Sequence, residues 1–291
     1  MRRWLLRLNR TGLLTLIARI GYGARGFVYL NVGLIALLAA LELRRSAVGL
    51  KGAMEEVGRW PLGLVWLSLV AWGLAAFVLW RLAQAVLDAD GQGRSAHGWA
   101  NRAGQGLSAF VYGVLSLTAF ELADGLEDRL EGEEREAELA AATLLGQPWG
   151  QELLLGVGLF VAACGVGNMV KGVFNDFGRQ LECEHEVRRW AVPLARLGYL
   201  ARGVVFVPLG LFLTEAALDL DSEHAGTIGA ALQSLQDQPF GAALLGAASL
   251  GLIAFGLFGF VQACWRRIGV GPPSGGRRAG GPIGEPATRT G

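Results

Sequence analysis

The sequence predicts an all-α integral membrane protein in which six transmembrane helices, as three tandem two-helix repeats, form a pseudo-threefold bundle. Three observations carry the prediction. Six apolar segments, at about 20–42, 62–86, 103–121, 150–172, 197–217 and 240–264, each approach the ~20 residues that cross ~30 Å of hydrocarbon. Of the 291 residues, 52% are hydrophobic and 18% charged, against about 25% charged in soluble domains. The chain also repeats itself three times, and such a period fixes architecture before any motif is considered.

The repeat opens at Arg19-Ile20-Gly21-Tyr22-Gly23-Ala24-Arg25-Gly26-Phe27-Val28-Tyr29. It returns at Arg102-Ala103-Gly104-Gln105-Gly106-Leu107-Ser108-Ala109-Phe110-Val111-Tyr112, and again at Arg196-Leu197-Gly198-Tyr199-Leu200-Ala201-Arg202-Gly203-Val204-Val205-Phe206. Each copy then reaches a Pro-x-Gly, at Pro61, Pro148 and Pro239, and 23 residues beyond each proline stands Gln84, Lys171 or Gln262. The prolines are expected in the first turn of each second helix, where the missing N–H is not needed. The boundaries are then a basic interfacial N-terminal segment 1–17, repeats 18–88, 89–175 and 176–267, and a Gly/Pro/Arg-rich disordered cytoplasmic tail 268–291.

Two helices per repeat send all three copies into the membrane from the same side. This excludes an inverted repeat and favours an axis along the membrane normal. Basic residues other than Arg25 and Arg202 divide eighteen to six between the two sides, the larger set flanking both termini. The expected location is therefore the bacterial plasma (inner) membrane, with both termini cytoplasmic. The opposite side carries an acidic loop from Ala123 to Trp149, with eight acids and two bases, expected to be a solvated helix or loop. Small residues four apart, such as Ala163/Gly167, Ala242/Gly246 and Ala247/Gly251, together with Gly21, Gly26, Gly104, Gly198 and Gly203, are expected at helix contacts.

Arg25 and Arg202 are the candidate anion or lipid-headgroup binding residues. Each lies six residues, about 9 Å, inside the flanking arginine of its repeat, where a charge is expensive and demands a reason. The residues alone leave three readings open: snorkelling to the interface, an anion site inside the bundle, or pairing with an acid. Gln84, Lys171, Gln262, Tyr29 and Tyr112 are the candidate interior polar positions. No metal site, catalytic constellation, cofactor fingerprint or disulfide framework is visible, and Cys164, Cys183 and Cys264 are expected as unpaired thiols. The net charge of +1 argues against a nucleic-acid partner.

The threefold Arg-x-Gly-x-x-x-Arg/Ser-Gly/Ala opening and the Pro-x-Gly…Gln-Ala/Lys-Gly close resemble the domain-of-unknown-function 1206 family. Its members are bacterial membrane proteins with a two-helix unit present three times. The resemblance spans about 18–267 and implies architecture and setting without an activity. Copy two departs most, with Gln105, Ser108 and Ala109 where the others have Tyr, Arg and Gly. The expected function is a non-enzymatic, structural or lipid- and partner-interacting membrane protein, with membrane lipids, self-association or a membrane-protein partner as its contacts. The alternative is a small-solute or anion permeation protein with a cytoplasmic-side arginine site.

Overall fold

The computed structural model describes residues 2–43, 48–93, 95–124, 133–222 and 225–268. They form α1 (Arg2–Ala40), α2 (Leu50–Gly58), α3 (Gly63–Leu87), α4 (Ala96–Ala123), α5 (Glu133–Leu145), α6 (Gly150–Phe174), α7 (His185–Asp219), α8 (Ile228–Gln236) and α9 (Gly241–Trp265). Six of these, α1, α3, α4, α6, α7 and α9, are long and apolar enough to cross a membrane. The basic N-terminal segment is continuous with α1 rather than a separate element. The tail from 269 and the loop residues 125–132 lie outside the described residues.

The short helices α2, α5 and α8 precede the three Pro-x-Gly motifs. The sequence reading anticipates a helix only for the acidic loop. α2 buries Leu50, Ala53, Met54 and Val57, and α8 buries Ile228, Ala231 and Leu232, the spacing of an amphipathic face. α2 sits over α1, α3 and α4, while α8 sits over α7 and α9.

The prolines are not in the first turn of the second helices, as expected, but two residues before it. The helices start at the motif glycines, Gly63, Gly150 and Gly241. Leu62 and Phe240, the middle residues of two motifs, are left-handed at φ 62° and 64°. The reversal is so tight that a Cβ on Gly63, Gly150 or Gly241 would collide with the carbonyl oxygen of Gly58, Leu144 or Gln236. Glycine is required there by contact with the preceding helix.

The packing order around the bundle is α4–α3–α1–α9–α7–α6. A closed threefold ring would contain two kinds of contact. The second helix of each repeat would meet the first helix of the next, and the two helices of each repeat would meet each other. Every such pair is packed except α4 with α6, the two helices of repeat two. The pseudo-threefold bundle is thus a ring open at one seam.

The cause is written in two pairs of equivalent positions. In repeat one a Cβ on Gly21 would lie 2.5 Å from the Phe77 Cα, and a Cβ on Gly73 would collide with Ala24. In repeat three Gly198 meets Phe255 in the same way, at 2.6 Å, and Gly251 meets Ala201. The equivalent residues of repeat two are Gly104 with Cys164 and Leu107 with Phe160. Two bulky side chains replace the small–small contact that allows helices to close in lipid. Nothing approaches Gly104 within 4 Å. Gly167, expected at a helix contact, likewise meets nothing within 4 Å, and Ala163 is exposed.

Candidate functional site

The first helices of the repeats turn one residue stripe toward the axis. On α1 the stripe is Tyr22, Arg25, Tyr29, Val32 and Ala36, each no more than 2% exposed. The axis is filled with rings. Tyr29 packs edge-on against Phe255 at 4.8 Å, and Phe77 packs edge-on against Tyr112 at 4.8 Å. The Tyr112 hydroxyl reaches the Tyr29 hydroxyl at 3.3 Å. Both tyrosines are buried in the core, as packing residues with a shared polar contact.

Arg25 points inward and is 1% exposed. Its guanidinium lies over the rings of Tyr22, Phe77 and Phe255 at 5.2, 5.2 and 4.8 Å. Its Nη2 donates to Gln262 Oε1 at 2.7 Å, joining α1 to α9. No carboxylate is bonded to it, and its Nε has no partner among the described residues. Aromatic faces attract a desolvated cation by about 2 kcal/mol, and a hydrogen bond to a charged group contributes about 1.5–3 kcal/mol. Together these offset an insertion cost of about 2.5–3.5 kcal/mol. Arg25 thus turns inward to Gln262 rather than outward to the surface, with no acid paired to it among the described residues.

The three repeats place three arginine–glutamine pairs at one kind of contact, and only one is intact. Arg25–Gln262 is formed. Where the second would be, the repeats align Ser108, in place of an arginine, with Gln84. Gln84 instead accepts from Arg81 Nη1 at 3.0 Å and donates to Asp90 Oδ2 at 2.6 Å. Arg266 also donates to that Asp90 oxygen at 3.3 Å and lies over Tyr22 at 4.9 Å. Gln84 and Gln262 are therefore buried interior groups. Where the third pair would be, the repeats align Lys171 with Arg202. A lysine cannot accept, and its side chain is exposed, so the expectation of an interior Lys171 is corrected. Two cations cannot share a dry contact.

Arg202 is only partly buried, unlike Arg25. Its guanidinium lies over Tyr29, Phe206 and Phe255 at 5.5, 4.6 and 5.2 Å, and its Nε also has no partner among the described residues. Asp90 accepts from the Gln84 amide and forms an ion pair with Arg266. Asp90→Asn is expected to destabilise the protein by about 1 kcal/mol, the size of one weakened charged hydrogen bond, read as a small fall in thermal midpoint in detergent. Among the described residues no group of three metal-ligating side chains converges.

Residues 20–88, 103–175 and 197–266 each match the family model described as a Domain of Unknown Function (DUF1206). The chain belongs to this family. Each matched segment spans one helix pair, α1 with α3, α4 with α6 and α7 with α9. The uncharacterized protein YxxB of Bacillus subtilis (strain 168) is 29% identical over 255 residues, which is 86% of this chain and 90% of that protein. No solved structure matches the chain.

Sequence reasoning missed Arg81, Asp90, Arg266, Trp80 and Tyr22 as members of this DUF1206 interior. Trp80 Nε1 donates to the Tyr22 hydroxyl at 3.1 Å. A signal was present: Trp80 and Phe258 are both 19 residues past their repeat's proline, and both are fully buried.

Proposed function

We propose that this chain is a non-enzymatic scaffold of the bacterial plasma membrane, with both termini cytoplasmic, that acts through bound lipids or membrane partners. The observation that carries the reading is Arg25, clamped by Gln262 and three rings in an interior packed with aromatic side chains. A conduit needs polar groups facing a continuous cavity. Here Tyr29, Phe77, Tyr112 and Phe255 occupy that space. The excess of basic residues at the end holding Arg19, Arg102 and Arg196 supports a cytoplasmic assignment for that end.

The permeation reading keeps one favourable observation, the inward arginines. Liposomes holding the purified protein distinguish the two. The scaffold reading expects chloride and phosphate efflux no faster than in protein-free liposomes. Efflux that rises with the protein and falls on Arg202→Ala would overturn it.

A further inference from the structure

We infer that the open seam of repeat two is a lateral binding site for an anionic phospholipid, whose phosphate is held by Arg202 and Lys171. The inference rests on the scaffold reading and names its lipid ligand.

Four differences between the repeats coincide at this seam. The helices α4 and α6 do not pack on one another, although their counterparts in repeats one and three do. The axis-facing stripe, fully buried on α1, is left partly exposed on α7, at Tyr199, Arg202, Phe206, Leu209 and Leu213. The other flank of α7 is closed by α9, so the opening is on the α4–α6 side. Trp80 and Phe258, which plug the interior of repeats one and three, are replaced by Gly167, and no atom comes within 4 Å of a Cβ there. Tyr22 and Tyr199 are replaced by Gln105, whose buried Oε1 has no partner among the described residues.

The chemistry of the opening selects its occupant. Arg202 is partly exposed, its buried Nε has no partner, and no salt bridge to its guanidinium is found among the described residues. Lys171, in the last turn of α6 at the end nearest the basic flank, is exposed. These two cations at successive depths fit a phosphate drawn slightly below the headgroup plane. Beyond Arg202 the same stripe continues as Phe206, Leu209 and Leu213, an apolar track for an acyl chain. A partner helix would bring apolar surface but would leave both cations unanswered. A free anion would leave the apolar track empty.

The test is native mass spectrometry of the full-length protein in detergent, with phosphatidylglycerol or phosphatidylcholine of matched acyl chains added. The wild type is expected to retain phosphatidylglycerol preferentially. Arg202→Gln is expected to weaken that retention about tenfold, the loss of roughly one charged hydrogen bond. Lys171→Gln should weaken it less. Gly167→Trp, which restores the ring that the other repeats carry, should expel both lipids without a change of charge. Arg59→Gln, an exposed arginine at the opposite end, should leave binding unchanged. Thermal midpoints within the wild-type range confirm that each variant is folded.

Phosphatidylglycerol retention unaffected by both Arg202→Gln and Gly167→Trp would overturn the site. Displacement of bound anion by inorganic phosphate, with lipids unable to compete, would overturn the lipid source. A lipid-free dimer that Gly167→Trp converts to monomer would show a second copy in the seam instead. Efflux measured on the same preparations tests the scaffold reading separately, so the two can fail independently.

Discussion

Gly21→Ala and Gly198→Ala will each lower stability by about 3 kcal/mol, the upper end for overpacking of a tight contact. The added methyl would come within 2.5 Å of the Phe77 Cα in the first case and 2.6 Å of the Phe255 Cα in the second. The obstacle is backbone in the middle of a long helix, so no side-chain rotation relieves it. The helices must separate, and the contacts of Gly73 with Ala24 and of Gly251 with Ala201 separate with them. Gly104→Ala, at the equivalent position of repeat two, has open space around its Cβ. It is expected to be neutral or to stabilise by up to ~1 kcal/mol through helix propensity. Thermal unfolding in detergent checks the contrast. At roughly 2–4 °C per kcal/mol for a chain of this size, the first two midpoints should fall by about 6–12 °C. Equal effects at all three glycines would mean that repeat two is closed like the others.

Arg25→Ala is expected to cost about 3 kcal/mol, from a cavity beside three rings and an unsatisfied Gln262 amide. Some of that loss is returned because a buried charge is removed. Gln262→Ala should cost as much or more, since it leaves the Arg25 guanidinium in the core with no acceptor. Breaking a buried polar pair from one side typically costs about 3–5 kcal/mol. The double variant should be less damaging than the sum, with a coupling of about 1–2 kcal/mol in the cycle. Additive effects would show that the 2.7 Å contact contributes nothing beyond its separate halves. Arg202→Ala, with its partner position held by Lys171, should cost clearly less than Arg25→Ala.

The six spans and the three repeats were legible because membrane thickness imposes one length on every crossing and the repeat shows itself by identity. The inward direction of Arg25 was not. A depth of six residues fixes cost but not azimuth, and only the rings of Tyr22, Phe77 and Phe255, distant in sequence, decide it. The role of Gln262 was equally hidden, because its partner is 237 residues away. The Pro-x-Gly motif invited the common reading of proline in a first helical turn. The glycine in fact meets the carbonyl of a short helix whose amphipathic face, as in Leu50–Gly58, falls in a segment too brief to stand out beside the spans. The seam was partly visible. Copy two was already the one that departs from the motif at Gln105, Ser108 and Ala109. Its meaning needed the second helix as well, where Phe160, Cys164 and Gly167 replace two glycines, two phenylalanines and the Trp80/Phe258 plug.

The most direct test of the open ring is disulfide cross-linking in a background where Cys164, Cys183 and Cys264 are replaced by alanine. Leu107→Cys with Phe160→Cys probes α4 against α6, at the positions equivalent to Ala24 with Gly73. Ala71→Cys with Ser116→Cys is the positive control, because the Ser116 hydroxyl bonds the Ala71 carbonyl at 2.9 Å across the packed α3–α4 pair. A disulfide needs Cα atoms within about 7 Å. In membranes treated with a mild oxidant, the control pair is expected to cross-link and the α4–α6 pair to stay reduced. Cross-linking of Leu107→Cys with Phe160→Cys at the control rate would mean a closed ring and would contradict the account.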